Sequence, residues 1–93
     1  MASENRRDTL EILSNLLENM SEPRRLTQLL FLTNLSYTQL RKYLTMVLRM
    51  GLAKQELSKN KFYIVTADGK FFIEMVKKRT VIKPLVTQMS LKS

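Results

Sequence analysis

The stretch from Ser36 to Gly51 constrains this chain more than any other part of it. Ser36-Tyr37-Thr38-Gln39 has the form of a capping box, with Ser at the N-cap and Gln at N3, each able to satisfy a backbone N–H of the other. Gly51 supplies the left-handed backbone that commonly follows a helix. Between these signals Leu40, Leu44, Val47 and Leu48 recur at helical spacing, so a helix running to about Met50 carries an apolar stripe on one side. That side must be buried, and Tyr37, three residues before Leu40, is expected to lean toward it. The opposite side is basic and polar, with Thr38, Arg41, Lys42, Thr45 and Arg49.

The segments before this helix are helical as well. Residues 6–20 place Leu10, Leu13, Leu17 and Met20 on one stripe, widened by Ile12 and Leu16. Asp8 and Glu11 lie where a helix dipole favours negative charge. Ser21-Glu22-Pro23 is a break, because proline disfavours helix before itself and suits a first turn. A short apolar helix is therefore predicted from about Pro23 or Arg24 through Leu26, Leu29, Leu30, Phe31 and Leu32. Thr33-Asn34 makes the turn that follows, since Asn tolerates left-handed backbone.

After Gly51 the period changes. Leu52-Ala53-Lys54-Gln55-Glu56 is a weak strand pattern, Leu57 to Lys61 is polar and turn-like, and Phe62-Tyr63-Ile64-Val65 is aromatic and β-branched. Together they predict a β-hairpin with a basic tip, with one of Phe62 and Tyr63 buried. Thr66 caps a fourth helix with Asp68 in its first turn. Phe71, Phe72, Met75 and Val76 are its apolar positions, a core or dimer interface in preference to a ligand pocket. Lys77-Lys78-Arg79 complement its C-terminal dipole. The order is helix, helix, helix, hairpin, helix: an α+β, mostly α, winged helix-turn-helix over residues 6–79. Residues 80–93 hold Val81, Ile82, Leu85, Val86, Met89 and Leu91, a surplus of apolar side chains that marks a possible dimerisation segment.

Composition narrows the function classes. There is no cysteine and no histidine, which removes thiolate metal sites, cysteine nucleophiles and the commonest acid/base residue. No paired carboxylates are visible, so neither an enzyme nor a metal or cofactor is expected. No stretch approaches the length of apolar chain that spans a bilayer, and no secretory signal is seen, so a cytoplasmic, nucleoid-associated location without membrane contact is expected. The net charge is +8, divided as +2 over residues 1–50 and +6 over residues 51–93. A surplus of this size favours a polyanion.

Asn34-Leu35-Ser36-Tyr37, Leu40, Tyr43-Leu44, Leu48 and Gly51-Leu52 resemble the third helix of small archaeal winged-helix DNA-binding proteins. Phe62-Tyr63-Ile64-Val65-Thr66-Ala67-Asp68-Gly69 resembles their strand ending in Leu-Thr-x-x-Gly, with Val65 where those proteins have Leu. The resemblance covers about residues 8–78. It implies a DNA-binding transcriptional regulator or chromatin-associated protein, commonly a homodimer, of cellular or viral origin. Some relatives dimerise through a long C-terminal helix in a coiled coil. Here Pro84 interrupts the corresponding stretch and no sustained heptad is present.

In a helix-turn-helix the third helix enters the major groove. Thr38, Gln39, Arg41, Lys42 and Thr45 are then the candidates for base edges, with Ser36 and Arg49 at the two ends of the same surface. Arginine suits guanine and glutamine suits adenine, although Gln39 is also claimed by the capping box. Lys59, Asn60 and Lys61 at the hairpin tip would reach a minor groove or flanking phosphates. Arg24 and Arg25, at the start of the second helix, would suit phosphate. Each has a plainer reading as an ordinary solvated side chain. Tyr43 is expected in the core, with an interface or groove role as alternatives. The expected partner is double-stranded DNA, bound by a homodimer, with no small-molecule substrate. Architectural DNA binding without sequence preference, a winged-helix protein-interaction module and RNA binding are the competing functions.

Overall fold

The computed structural model describes residues 8–57 and 61–78. It holds α1 (Thr9–Glu18), α2 (Leu26–Thr33), α3 (Tyr37–Arg49), β1 (Ala53–Leu57) and β2 (Lys61–Val65), followed by helical residues 67–78, here α4. Residues 6 and 7 of the predicted first helix, Lys59 and Asn60 of the wing tip, Arg79 and the segment 80–93 lie outside the described residues.

α1 begins at Asp8, whose Oδ1 accepts from the Leu10 N–H at 3.1 Å, with Glu11 in the first turn. Acceptor and charge both suit the exposed N–H groups of a helix start. The helix ends at Glu18, two residues earlier than its apolar period suggested, and Met20 enters the core from the following turn. Leu13, Leu16, Leu17 and Met20 are buried and meet Leu29 of α2 with Leu40, Leu44 and Val47 of α3 in one cluster. Burying side chains of this size contributes roughly 1.5–3 kcal/mol each, which makes this three-helix contact the main source of cohesion.

The second helix starts later than the proline suggested. Residues 23–25 run extended, and Arg24 forms an antiparallel bridge to Tyr63. The Arg24 N–H donates to the Tyr63 carbonyl at 3.0 Å, and the Tyr63 N–H donates to the Arg24 carbonyl at 2.8 Å. A first helical turn at Arg24 would forfeit both bonds. α2 begins at Leu26 instead, with the Arg25 N–H donating to Gln28 Oε1 at 2.9 Å. It ends at Asn34, whose φ of 59° is left-handed, as the Thr33-Asn34 turn required. α2 is not buried all round: Leu29 is fully enclosed, whereas Phe31 is 91% exposed and Leu32 faces solvent in part.

β1 and β2 pair antiparallel from Ala53↔Val65 to Leu57↔Lys61. β1 begins one residue later and β2 one residue earlier than the pattern implied, so that Leu57 and Lys61 belong to the strands instead of the turn. Tyr63 and Val65 point into the core while Phe62 stays half-buried, as the alternation requires. Two further bonds anchor the far end of β2: Val65 N–H to the Met20 carbonyl and Thr66 N–H to the Leu52 carbonyl, both 2.9 Å.

Thr66 caps α4, its Oγ1 accepting from the Gly69 N–H at 3.1 Å while its hydroxyl donates to the Gly51 carbonyl at 2.7 Å. The buried positions of α4 are Gly69, Ile73 and Val76, with Phe72 partly covered. Phe71 and Met75, expected on the apolar side, are more than half exposed. The core stripe of α4 is therefore rotated from the predicted one, because the helix is drawn in at Gly69, where backbone meets backbone. Lys77 Nζ reaches Glu18 at 3.0 Å and ties α4 to the end of α1. The hydrogen bond to Glu18 holds the Lys77 ammonium above its ordinary pKa. This contribution is complete below the ordinary lysine value and is lost as pH rises through the raised one. It is small, because both side chains are largely solvated.

The two glycines separate two kinds of constraint. A Cβ on Gly69 would stand 2.0 Å from the Leu52 carbonyl oxygen and 2.5 Å from Val65 Cγ2, whereas one on Gly51 would meet nothing within 4 Å but would sit at φ +75°. Gly69→Ala should lower stability by about 3 kcal/mol, at the upper end of overpacking costs, and Gly51→Ala by about 1 kcal/mol from backbone strain alone. Urea unfolding midpoints at a common m-value distinguish the two; equal losses would contradict this account.

Candidate nucleic-acid interface

α3 presents two unlike sides. Leu40, Leu44 and Val47 are buried, and Tyr43, Met46 and Leu48 pack partly against the core. Thr38, Arg41, Lys42, Thr45 and Arg49 are all exposed and lie together along the outer side. No Asp or Glu occurs anywhere between Tyr37 and Arg49, so nothing on this helix neutralises the three cations. The structure brings the central five predicted residues onto one surface.

The start of α3 is held by the reciprocal cap. The Gln39 N–H donates to Ser36 Oγ at 3.1 Å, and the Ser36 N–H donates to Gln39 Oε1 at 3.2 Å. Both side chains are exposed but are engaged with backbone. The carboxamide oxygen of Gln39 is turned back toward the helix start, and its NH2 group is the part left to meet a ligand. Tyr37 departs from expectation: it is 57% exposed. Side chains tilt toward the N-terminus of a helix, and a residue in the first turn is thereby carried past the end of the core. No periodicity argument distinguishes this position from Leu44, two turns on.

The arginines of the second helix have different fates. Arg24 is half-buried, its backbone in the bridge to Tyr63 and its Nε donating to the Asn19 carbonyl at 3.2 Å. It is a structural tie between the end of α1 and β2. Arg25 is exposed at the N-cap of α2, with its guanidinium 5.7 Å from the Phe62 ring centre. This places a cation between the start of α2 and the outer half of the hairpin, where Phe62 pairs with Glu56 one step from the Leu57↔Lys61 end. Lys42 Nζ stands 5.3 Å from the Tyr43 ring centre, within the range of a cation–π contact. Lys61 is exposed at the start of β2. Beyond the sequence candidates, Tyr37 joins the exposed end of α3, and the contacts of Arg25 with Phe62 required the tertiary fold to become visible.

Among the described residues no group of three or more His, Cys, Asp or Glu is placed to hold a metal ion, and no helix is long and apolar enough to cross a membrane.

A family model described as winged helix-turn-helix matches residues 6–83. Among solved structures, the chain is similar to a DNA-binding protein from Sulfolobus solfataricus, at 22% identity and a TM-score of 0.77, covering 92% of each chain. It is also similar to a Bordetella bronchiseptica protein described by regulation of its DNA binding by 6-hydroxynicotinic acid, at 12% identity and a TM-score of 0.62, covering 95% of this chain and 60% of that one. A MarR family transcriptional regulator from Silicibacter pomeroyi shares 24% identity and a TM-score of 0.58, over 98% of this chain and 57% of that one. The chain thus spans less than two thirds of the latter two. No curated protein matches the sequence.

The cap has a direct test. Ser36→Ala should lower stability by about 1 kcal/mol, and Ser36→Asp, which keeps an acceptor at the N-cap, should not. Identical unfolding midpoints for the two variants would show that the bond from Gln39 N–H to Ser36 Oγ contributes nothing.

Proposed function

Because the chain belongs to the winged helix-turn-helix family, we propose that it binds double-stranded DNA as a transcriptional regulator, with α3 in the major groove and the hairpin on flanking backbone or in the minor groove. The observation that carries this reading is the outer side of α3: Arg41, Lys42 and Arg49 exposed with Thr38 and Thr45, on a helix without a carboxylate. Such a surface meets phosphates and base edges without desolvating a like charge. Arg25, held beside Phe62, extends the positive surface toward the hairpin. The similar DNA-binding and MarR family proteins share the architecture that presents these residues. Arg41 is assigned to a base edge. Lys42, Arg49, Arg25 and Lys61 are assigned to phosphate, with Lys59 and Asn60 at the wing. Arg24 is kept as a phosphate candidate through its two terminal NH2 groups, its Nε being bonded to the Asn19 carbonyl.

Fluorescence anisotropy with duplexes of about 30 base pairs across a salt series measures this. Affinity should fall steeply with salt, by roughly 0.9 in log–log slope for each phosphate contact. Lys42→Ala should reduce that slope by about 1, and Arg41→Ala should cost about 1–3 kcal/mol on a preferred sequence and little on others. Equal affinity for all duplexes would leave an architectural binder in place of a regulator, and absence of binding at low salt would point to a protein-interaction module.

The regulator is also proposed to be a homodimer, as a two-fold protein matches a palindromic site. Supporting this are the exposed Phe71 and Met75 and an apolar cleft of about 260 Å³ lined by Leu10, Phe72, Met75 and Val76. The apolar residues of segment 80–93 would add to the same interface. Light scattering of the full chain should give twice the monomer mass, and Met75→Glu should shift it toward monomer. A monomeric full chain at micromolar concentration would remove the proposal.

A further inference from the structure

We infer that α3 distinguishes DNA sequences through guanine and thymine, with Arg41 and Tyr37 as the discriminating side chains. This rests on the DNA-binding reading above. It follows from which hydrogen-bonding groups the first turns of α3 still have available.

In the major groove adenine and cytosine are marked by amino groups that donate, whereas guanine and thymine are marked by the O6 and O4 acceptors and by the thymine methyl, N7 being an acceptor on both purines. Reading an amino group requires an acceptor. α3 has no carboxylate. Its single carboxamide, Gln39, has its oxygen bonded to the Ser36 N–H at 3.2 Å, so bidentate reading of adenine would open the cap that starts the helix. The hydroxyls of Thr38 and Thr45 donate and accept alike and so do not discriminate by hydrogen bonding. What remains is donors and apolar surface.

Arg41 is the multidentate donor that remains, beside the lone NH2 group of Gln39. It is exposed on the outer side, five-fold donor and never acceptor, which fits guanine O6 and N7. Lys42 is also a donor, but its ammonium is placed over the Tyr43 ring. Tyr37 supplies apolar surface. It is 57% exposed at the N-terminal end of α3, the end that meets base edges in this motif. It stands four residues before Arg41, one turn nearer the N-terminus, at the edge between the inner and outer sides where the core has ended. A tyrosine ring there offers contact to a thymine methyl, and its hydroxyl can donate to O4.

The test starts by selecting duplexes with the full chain from a randomised library. Affinities are then measured by anisotropy for the best duplex and for versions with single guanines replaced by 7-deazaguanine, or single thymines by uracil. At one guanine the loss should be about tenfold and should vanish in Arg41→Ala. At one thymine it should be about fourfold, the worth of a buried methyl. That loss should vanish in Tyr37→Ala and persist in Tyr37→Phe. A merely structural Tyr37 would weaken all duplexes alike and leave the uracil effect in place. Binding without a consensus, or a consensus indifferent to both replacements, would overturn this inference while leaving DNA binding intact. Failure to bind any duplex at low salt would overturn both.

Discussion

β2 is bonded along both edges, and the arrangement of the rest of the chain follows from that. On one side it pairs with β1 through the full register from Ala53↔Val65 to Leu57↔Lys61. On the other, Tyr63 exchanges two backbone hydrogen bonds with Arg24. A hairpin alone would be marginal in water, with an open edge and no fixed angle to the helices. The Arg24 pair closes part of that edge and ties the hairpin to the chain immediately before α2. The bond from Val65 N–H to the Met20 carbonyl ties the same strand to the end of α1. The wing is therefore set relative to the helix-turn-helix by main-chain bonds, which tolerate wide change in the side chains around them.

α3 is positioned by the same framework and carries the contrast on which function depends. Its inner side closes the core with Leu40, Leu44 and Val47. Its outer side is left cationic, because among the described residues no element packs across Arg41, Thr45 or Arg49 and no carboxylate lies within the helix. The reciprocal bonds between Ser36 and Gln39 satisfy two backbone donors at the end that would face DNA. The same bonds remove an adenine-reading group from that end, so stability and specificity draw on one side chain.

Much of this was legible in the sequence where local rules and burial agree. Ser36, Gln39, Asn34, Gly51 and Thr66 act through their own neighbours, and each does in the structure what its residue type favours. The stripe of α3 was legible because a long amphipathic helix repeats its message over several turns. Pro23-Arg24-Arg25 was misread because proline's preference for a first helical turn is weak beside two hydrogen bonds to a distant strand. Tyr37 was misread because periodicity gives an angle around the helix axis but not where the core ends along it. Of the two places the sequence left open for Phe71 and Met75, core or dimer interface, the fold removes the core, because the rotation of α4 is decided at Gly69, whose lack of a side chain lets it approach the Leu52 carbonyl. An apolar count is blind to such a contact.

The sequence by itself determined the order of elements, the turn at Asn34, both ends of α3, the start of α4 and the basic outer side of α3, since these depend on caps, turns and short-range periodicity within a few residues. Only the tertiary structure decided that residues 23–25 extend onto β2, that Arg24 is a structural tie while Arg25 remains exposed beside Phe62, and that Tyr37 stands clear of the core. Each of these depends on a partner far away in the chain, and a hydrogen bond or close approach between distant segments leaves no local signature in either one.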